Sequence, residues 1–230
     1  MPLSYRAAMK LLSVNLGREK AVTYTDNPEG VTGIDKRPVD GPVRVAAPGP
    51  KGIGGSALAG DAVCKKQHHG GDDQAVYAMA REDLDEWEGE LGRSLANGAF
   101  GENLTTLGID VSGALIGERW RIGPDVVLEI TSARIPCGTF QGHMGEQRWV
   151  KRFTQKGAPG AYLRVIQPGE IRAGDPVEIV HRPDHEVTVA LAFRAMTTER
   201  PLQPRLLAAG EALHPELRKW ALDYVEKHGA

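Results

Sequence analysis

Short apolar runs broken by glycine and proline fill this chain from residue 10 to residue 179. In the run VVLEITSA (126–133), Val126, Leu128 and Ile130 occupy every second position, which is the period of a half-buried strand. The 28 glycines and 15 prolines are spread along all 230 residues, so they mark turns rather than a disordered tail. Closely spaced strands of this kind predict a β-barrel or a β-sandwich.

The chain divides into a strand-rich part and a helical tail. The clearest strand candidates are LLSVNL (11–16), VRVAA (43–47), ERWRI (118–122), VVLEITSA (126–133), AYLRVI (161–166) and PVEIV (176–180). Helices are predicted from Asp72 or Asp73 to about Glu90, over 146–155, and in the tail over 186–196, 200–209 and 215–228. We therefore predict a β domain with peripheral helices over 1–183 and an all-α three-helix domain over 184–230.

Charge and cysteine content exclude several classes of protein. With 28 Lys and Arg against 30 Asp and Glu, the formal charge of −2 provides no basic surface for nucleic acid or an anionic membrane. No apolar run approaches the ~18 residues of a membrane-spanning helix, and the N-terminus does not resemble a leader peptide. We therefore expect a cytoplasmic protein. Its two cysteines, Cys64 and Cys137, cannot form a disulfide framework or a four-thiolate zinc site.

The segment KKQHHGGDDQAV (65–76) is the first candidate for chemistry. Gly70 and Gly71 allow a backbone to approach a ligand closely, and the N-terminus of the predicted helix that follows can bind an anion. Lys65 and His69 add groups that carry charge or share protons. A tight turn with exposed side chains explains the same residues equally well.

Two later segments contribute further candidates. In NGAFGENLTTLG (97–108), Asn103 offers an amide, although a glycine-rich loop that holds a phenylalanine in the core is the simpler interpretation. In TSARIPCGTFQGHMG (131–145), Cys137 follows a strand end, with Arg134 upstream and His143 in a glycine-bounded loop. A thiol near cationic groups has the surroundings of a reactive thiolate or a metal ligand, but buried inert cysteine is an equal alternative. Cys64 is expected to be a small core residue.

Taken in order, these segments resemble the MOSC family, named for the C-terminal domain of molybdenum cofactor sulfurases. The resemblance covers most of the chain, and the helical tail is similar to the three-helix domain of the YiiM-like bacterial subgroup. It is carried by Gly60-Asp61, His69-Gly70-Gly71, Gly101-Glu102-Asn103-Leu104, Arg134-x-Pro136-Cys137, and the stretch from Tyr162 to Asp175. The sequence departs from the family at Gly117-Glu118, where Gly-Asp is usual, and this changes only a turn.

The resemblance implies a β-barrel that binds the molybdenum cofactor, with Cys137 as the metal ligand. Related proteins reduce N-hydroxylated compounds such as 6-hydroxylaminopurine and amidoximes, and electrons must then come from an external reductase. Lys65, His69 and Arg134 are the candidates for the cofactor phosphate, Gly70 and Gly71 for its close approach, and Asn103 for the pterin edge. His69 or His143 would deliver protons.

Two alternatives stay open at this point. The chain could be a non-catalytic module that carries the cofactor or a persulfide sulfur on Cys137. The helical tail could instead be a docking surface for a partner or for a second copy in a homodimer. Neither nucleic acid nor a membrane is expected as a partner.

Overall fold

A computed structural model describes residues 9–229 as a β-rich body with helices around it. The strands are β1 (Lys10–Gly17), β2 (Lys20–Ala21), β3 (Val31–Thr32), β4 (Lys36–Pro38), β5 (Val43–Val45), β6 (Val76–Ala80), β7 (Leu104–Leu107), β8 (Arg119–Ile122), β9 (Val126–Ala133), β10 (Ala161–Gln167), β11 (Gly169–Ile171) and β12 (Val177–His181). The α-helices are α1 (Arg81–Leu91), α2 (Gly138–Met144), α3 (Trp149–Lys156), α4 (Val189–Thr197) and α5 (Pro215–His228). Two 3₁₀ segments cover Asp72–Gln74 and Arg200–Ala212.

Eight strands form one mixed sheet in the order β12-β8-β9-β10-β6-β7-β1-β4. Its pairs are antiparallel except for β6 and β7, which run parallel. The amide of Leu11 in β1 donates to the carbonyl of Asp175, just before β12, at 2.9 Å, and Val177 donates to Met9 at 3.0 Å. These bonds bring β1 to the β12 edge of the sheet.

The prediction of a β-rich fold with peripheral helices is confirmed, and each of the six predicted strands overlaps an observed one, with ends that differ by up to two residues. The burial of β9 differs from the expected half-buried pattern. From Leu128 to Ala133 every residue is buried, and α4 and both 3₁₀ segments pack on the strand. Glu129 is tolerated there because it pairs with Arg119 at 2.7 Å and with Arg164 at 3.2 Å.

The helix predicted from residue 72 to about 90 is wrong in its first half. Val76–Ala80 is the strand β6, which lies between β10 and β7 with every residue buried, and α1 begins only at Arg81. A strand buried on both faces has no alternation, so its apolar residues merged with those of α1 into an apparent helical period. Only the 3₁₀ turn Asp72–Gln74 follows the two glycines, so the predicted helix N-terminus for an anion does not exist.

The region after Cys137 also differs from expectation. His143 lies in the last turn of α2, not in a loop, and α3 confirms most of the helix predicted over 146–155. A side chain at Gly142 would come within 2.4 Å of Tyr24, so this glycine allows α2 to pack closely on the 20–30 segment. A helix can therefore contain the glycines that suggested a loop.

The helical tail contains two α-helices rather than three. Its middle segment, Arg200–Ala212, is 3₁₀ in character, contains Pro204 and breaks at Gly210, where φ is 56°. Proline removes a backbone donor, which disfavours a continuous α-helix there. Phe193 in α4 and Leu217 in α5 belong to the same apolar cluster as the strands. The domain division at 183/184 stays a prediction.

Five aromatic side chains form the centre of packing beside the sheet: Trp87, Phe100, Phe140, Trp149 and Phe153. The centroids of neighbouring rings are 4.5 to 6.3 Å apart, and the pairs are edge-to-face or tilted except Trp87 and Phe153, which are stacked. The cluster joins α1, α2 and α3 to the glycine-rich loop at 97–101, and so it fixes the start of α2 next to Cys137.

Across residues 9–229, every helix is too short or too polar to span a lipid bilayer.

Candidate functional site

An open cleft of about 850 Å³, including the solvent space at its mouth, lies where several segments meet, around residues 25–36, 56–65, 69–77, 101–103 and 134–139. Six of the seven residues predicted to bind a cofactor line it: Lys65, His69, Gly70, Asn103, Arg134 and Cys137. Residues from distant parts of the sequence therefore share one concave surface, which is the kind of surface that binds small molecules.

Arg134 is the least satisfied charged group of this cleft. Its side chain is 94% buried, since only 6% of its surface is exposed, and its guanidinium carbon lies 3.6 Å from the ring centroid of Phe140. It forms no salt bridge within residues 9–229, and its buried Nη1 has no hydrogen-bond partner there. Because a buried cation without a carboxylate is costly, the cleft is suited to an anion at Arg134.

Cys137 lies three residues further on, between the end of β9 and the start of α2. Its backbone is extended, with φ −129° and ψ 173°, and its carbonyl accepts the first helical hydrogen bond from Gln141 at 3.0 Å. The thiol is free and partly buried against the apolar core. The turn thus carries a thiol and a buried guanidinium on one wall of the cleft.

Cys64 is not the core residue that was expected. It lines the same cleft, is partly exposed and is free. Burial raises the pKa of its thiol, and the carboxylates of Glu19 and Glu29 raise it further. Cys64 therefore stays protonated at neutral pH, which makes it a poor nucleophile and a poor metal ligand.

His69 is neutral at pH 7 in this fold. Burial is the main cause that lowers the pKa of its imidazole to about 4, and the nearby charges of Arg134 and Lys51 contribute to the same shift. A neutral imidazole has one acceptor and one donor nitrogen, so His69 contributes hydrogen bonds rather than charge. An anion placed among these cations would raise the pKa of His69.

We expect His69 to make folding stability depend on pH between 6.5 and 4. The unfolded chain binds a proton at His69 below pH 6.5 and the folded chain does so only near pH 4, so stability is complete above 6.5 and falls as the pH drops through this window. The full loss is about 3 kcal/mol. Urea unfolding of the protein and of His69→Gln at pH 7.5 and 4.5 measures it. Equal pH dependence in both proteins would contradict the assignment.

Gly70 and Gly71 serve the packing of the chain itself. Both have φ of +77°, and a Cβ would lie 2.5 Å from the carbonyl oxygen of Gly55 at position 70 and 2.6 Å from Cα of Lys51 at position 71. Gly71 faces this 49–55 loop and does not line the cleft. The close approach that these glycines were predicted to allow is therefore to the 49–55 loop.

Two further predicted residues are held by protein partners. Lys65 pairs with the exposed Asp26 at 3.0 Å across the cleft mouth. The Asn103 amide donates to Asp61 at 2.8 Å and its oxygen accepts from the Tyr77 amide at 3.2 Å. Asn103 thus positions Asp61 and β6, and most of its hydrogen-bonding capacity is used inside the wall.

The ion pair of Lys36 with Asp61 was missed by the sequence reasoning. Both side chains are buried, at 8% and 1% exposure, and both line the cleft. Asp61 also accepts from the Gly17 amide at 2.7 Å, so its carboxylate is fixed. Asp61 is part of the Gly60-Asp61 motif, whereas no motif in the sequence includes Lys36.

Glu102 holds the glycine-rich loop next to this wall. Its fully buried carboxylate accepts from the Gly98 amide at 2.5 Å, the Phe100 amide at 3.0 Å and the Thr105 hydroxyl at 2.9 Å. Burial raises the pKa of this carboxyl. The loop conformation therefore depends on a buried acceptor that no neighbouring cation neutralises in residues 9–229.

Replacing Glu102 by glutamine is expected to lower the free energy of unfolding by about 1 to 3 kcal/mol, because one amide would face an NH₂ group in place of an oxygen. Chemical denaturation at pH 7 measures the change. Glu170→Gln, at an exposed position of β11, is the matched control and should be neutral. A loss below about 0.5 kcal/mol for Glu102→Gln would show that the loop does not need this acceptor.

His143 does not line the cleft. It faces a second cavity of about 630 Å³ with Asp35 and Arg93, and its ring Nε2 lies 3.1 Å from the carbonyl oxygen of Ala99. Lys36 borders both cavities. Of the two histidines considered as proton donors, only His69 lines the same cleft as Cys137.

Comparison with known proteins identifies relatives of the whole fold. Residues 65–178 match the MOSC domain. The chain is 33% identical to the uncharacterized protein YflK of Bacillus subtilis over 184 residues, covering 80% of this chain and 79% of YflK. The structure of YiiM from Geobacillus stearothermophilus aligns with a TM-score of 0.73 at 27% identity, covering 94% of this chain and 98% of that one.

A third relative is longer than this chain. A protein named "Reductase" from Gibberella moniliformis is 31% identical over 176 residues, which are 75% of this chain and only 29% of that protein.

Proposed function

Because this chain belongs to the MOSC domain family, in the group similar to YiiM, we propose that it binds the molybdenum cofactor in the cleft and reduces N-hydroxylated compounds to amines. The substrates would be of the 6-hydroxylaminopurine or amidoxime type. Electrons would come from an external reductase.

The observation that supports this proposal is the pairing of Arg134 with Cys137 on one cleft wall. Arg134 is a buried guanidinium without a carboxylate partner in residues 9–229, and Cys137 is a free, partly buried thiol three residues away. A ligand that is anionic and carries a thiophilic metal would satisfy both groups. The molybdenum cofactor has a phosphate and a metal that accepts a thiolate, so the residues fit it.

Each side chain has a role toward the bound group. The Cys137 thiolate would be the protein ligand of the metal, and Arg134 with Lys65 would receive anionic oxygens. The buried Lys36–Asp61 pair would add a fixed polar group, neutral overall, to the wall. When bound, the cofactor supplies a metal that exchanges two electrons and accepts one oxygen atom.

The proposed reaction consumes two electrons and two protons for each N–OH group, and it yields the amine and water. His69 is the cleft residue that would relay a proton, because anions bound among its neighbouring cations would raise its low pKa toward neutrality. His143 lines the second cavity and not the cleft.

The relative named a reductase supports reductive chemistry, but the matched region is less than a third of its length. A separate electron-donor protein is therefore part of the proposal.

We also propose that the bonds between β1 and β12 close the sheet into a barrel and that the segment from 184 onward forms a separate helical unit.

The test is to produce the protein in a host that makes the cofactor, and to measure molybdenum, pterin and 6-hydroxylaminopurine reduction with a reductase system. Near-stoichiometric metal together with turnover would support the proposal. Metal and pterin without turnover, or a persulfide on Cys137, would favour a carrier. A folded protein that lacks both metal and pterin would contradict the proposal.

A further inference from the structure

Gln74 is the second cleft residue with an unsatisfied polar side chain. It lines the cleft beside Tyr77, and its buried Oε1 has no hydrogen-bond partner within residues 9–229. Burying an amide without partners is unfavourable, so such a group is retained where a ligand completes its hydrogen bonds. Gln74 lies in a different segment from Arg134, and its amide is neutral. We therefore expect the unpartnered atoms of Gln74 and Arg134 to contact different parts of a ligand.

The 3₁₀ turn that carries Gln74 is clamped on both sides. The Asp72 carboxylate accepts from the Gly49 amide at 2.9 Å, and Asp73 pairs with Arg164 at 2.7 Å. The Asp73 carbonyl accepts from the Thr131 hydroxyl at 2.6 Å. Because its neighbours are fixed to the sheet and to the 49–55 loop, Gln74 is presented to the cleft by a rigid backbone.

A primary amide has an acceptor oxygen and a donor NH₂ on one planar group, and rotation by 180° exchanges them. Such an amide pairs bidentately with a heterocycle edge that has an amine donor next to a ring-nitrogen acceptor, as glutamine does with adenine. Tyr162 lines the same cleft and is partly exposed, whereas the ring of Tyr77 is buried, with the Arg134 guanidinium carbon 5.2 Å from its centroid. An aromatic side chain in the wall favours a flat ligand through stacking.

We propose that Gln74 is a specificity-determining residue that binds the edge of a flat nitrogen heterocycle carrying an amine beside a ring nitrogen. Two ligands of the proposed function have this chemistry, namely an aminopurine base as substrate or product and the pterin of the cofactor. The inference rests on the proposed function, because that function supplies both of these ligands. It predicts that bases of the aminopurine type bind in preference to amidoximes that lack a ring edge.

The experiment uses the full-length protein from the cofactor-producing host, with adenine and unsubstituted purine as calorimetric probes. Purine has a hydrogen where adenine has the amine, so it lacks the edge formed by an amine and a ring nitrogen and keeps every other edge of adenine. We expect wild type to prefer adenine, and Gln74→Ala to lose about tenfold in adenine affinity with little change for purine. Gln67→Ala, in the exposed part of the preceding loop, is the matched control and should behave as wild type.

Pterin content distinguishes the two sources. Lower adenine affinity with unchanged pterin would identify the base as the group that Gln74 binds, and lower pterin content with unchanged adenine affinity would identify the cofactor. Unchanged pterin and unchanged adenine affinity in a folded Gln74→Ala would overturn the inference, as would a wild type that retains no pterin and binds no adenine. Wild type without metal or pterin that still binds adenine through Gln74 would refute the proposed function alone.

Discussion

Replacing Cys137 by serine is expected to remove molybdenum from the protein and to lower 6-hydroxylaminopurine reduction by more than about 100-fold. Loss of a residue that only supports a metal ligand already costs about 10- to 100-fold, and a lost ligand should cost more. The hydroxyl of serine is not ionised at neutral pH and is a harder donor than a thiolate. Elemental analysis and single-turnover kinetics on the same preparation measure both effects.

The matched control is Cys64→Ser, which alters the other thiol of the same cleft. Burial and the nearby carboxylates raise the pKa of the Cys64 thiol, so it is not expected to ligate metal at neutral pH. Metal content should therefore stay near that of wild type. If Cys64→Ser lost the metal and Cys137→Ser retained it, the ligand assignment would be reversed.

Replacing Arg134 by methionine is expected to have opposite effects on binding and on stability. Without a bound anion, the buried guanidinium has no carboxylate partner in residues 9–229, and an apolar side chain of similar length removes that cost. The metal-free protein should gain about 1 to 3 kcal/mol in unfolding free energy. Cofactor retention should fall below detection, because the phosphate loses its buried cation.

Arg152→Met is the matched control, because it removes another arginine that packs on an aromatic ring. Arg152 lies 5.8 Å from the centroid of Trp87 but is more exposed, and it has Glu146 as a partner at 3.5 Å. That variant should leave cofactor retention unchanged. A loss of more than about 1 kcal/mol in metal-free Arg134→Met would instead identify Arg134 as a structural residue held by its contact with Phe140.

Sequence reasoning was most successful where local pattern decides structure. β9 was predicted with its observed ends, because β-branched residues fill it and Gly123-Pro124 and Pro136 bound it. It failed at β6, a central strand between β10 and β7 that has every residue buried, because burial on both faces removes alternation. The helix predicted over 200–209 was not found as an α-helix for a local reason, because the prolines of this segment and Gly210 interrupt an α-helix.

In the candidate site, too, the features that depend on neighbouring residues were predicted and those that depend on distant segments were not. Arg134 and Cys137 are three residues apart, so their proximity follows from the chain alone. Asn103 was predicted to face a ligand, but Asp61 and Tyr77, which lie far from it in sequence, use its amide. Cys64 was assigned to the core because it follows two apolar residues, yet its segment forms a cleft wall.

The family, the β-rich fold and the Arg-x-Pro-Cys turn could be predicted from the sequence, because each depends on residues that are close together or on motifs in a fixed order. Only the folded chain shows that His69 is neutral, that Lys36 and Asp61 form a buried pair, and that Gln74 Oε1 and Arg134 Nη1 have no hydrogen-bond partner within residues 9–229. The reason is that protonation and hydrogen bonding depend on burial and on neighbouring charges. Those neighbours are supplied by segments that lie tens of residues away and meet only when the sheet is formed.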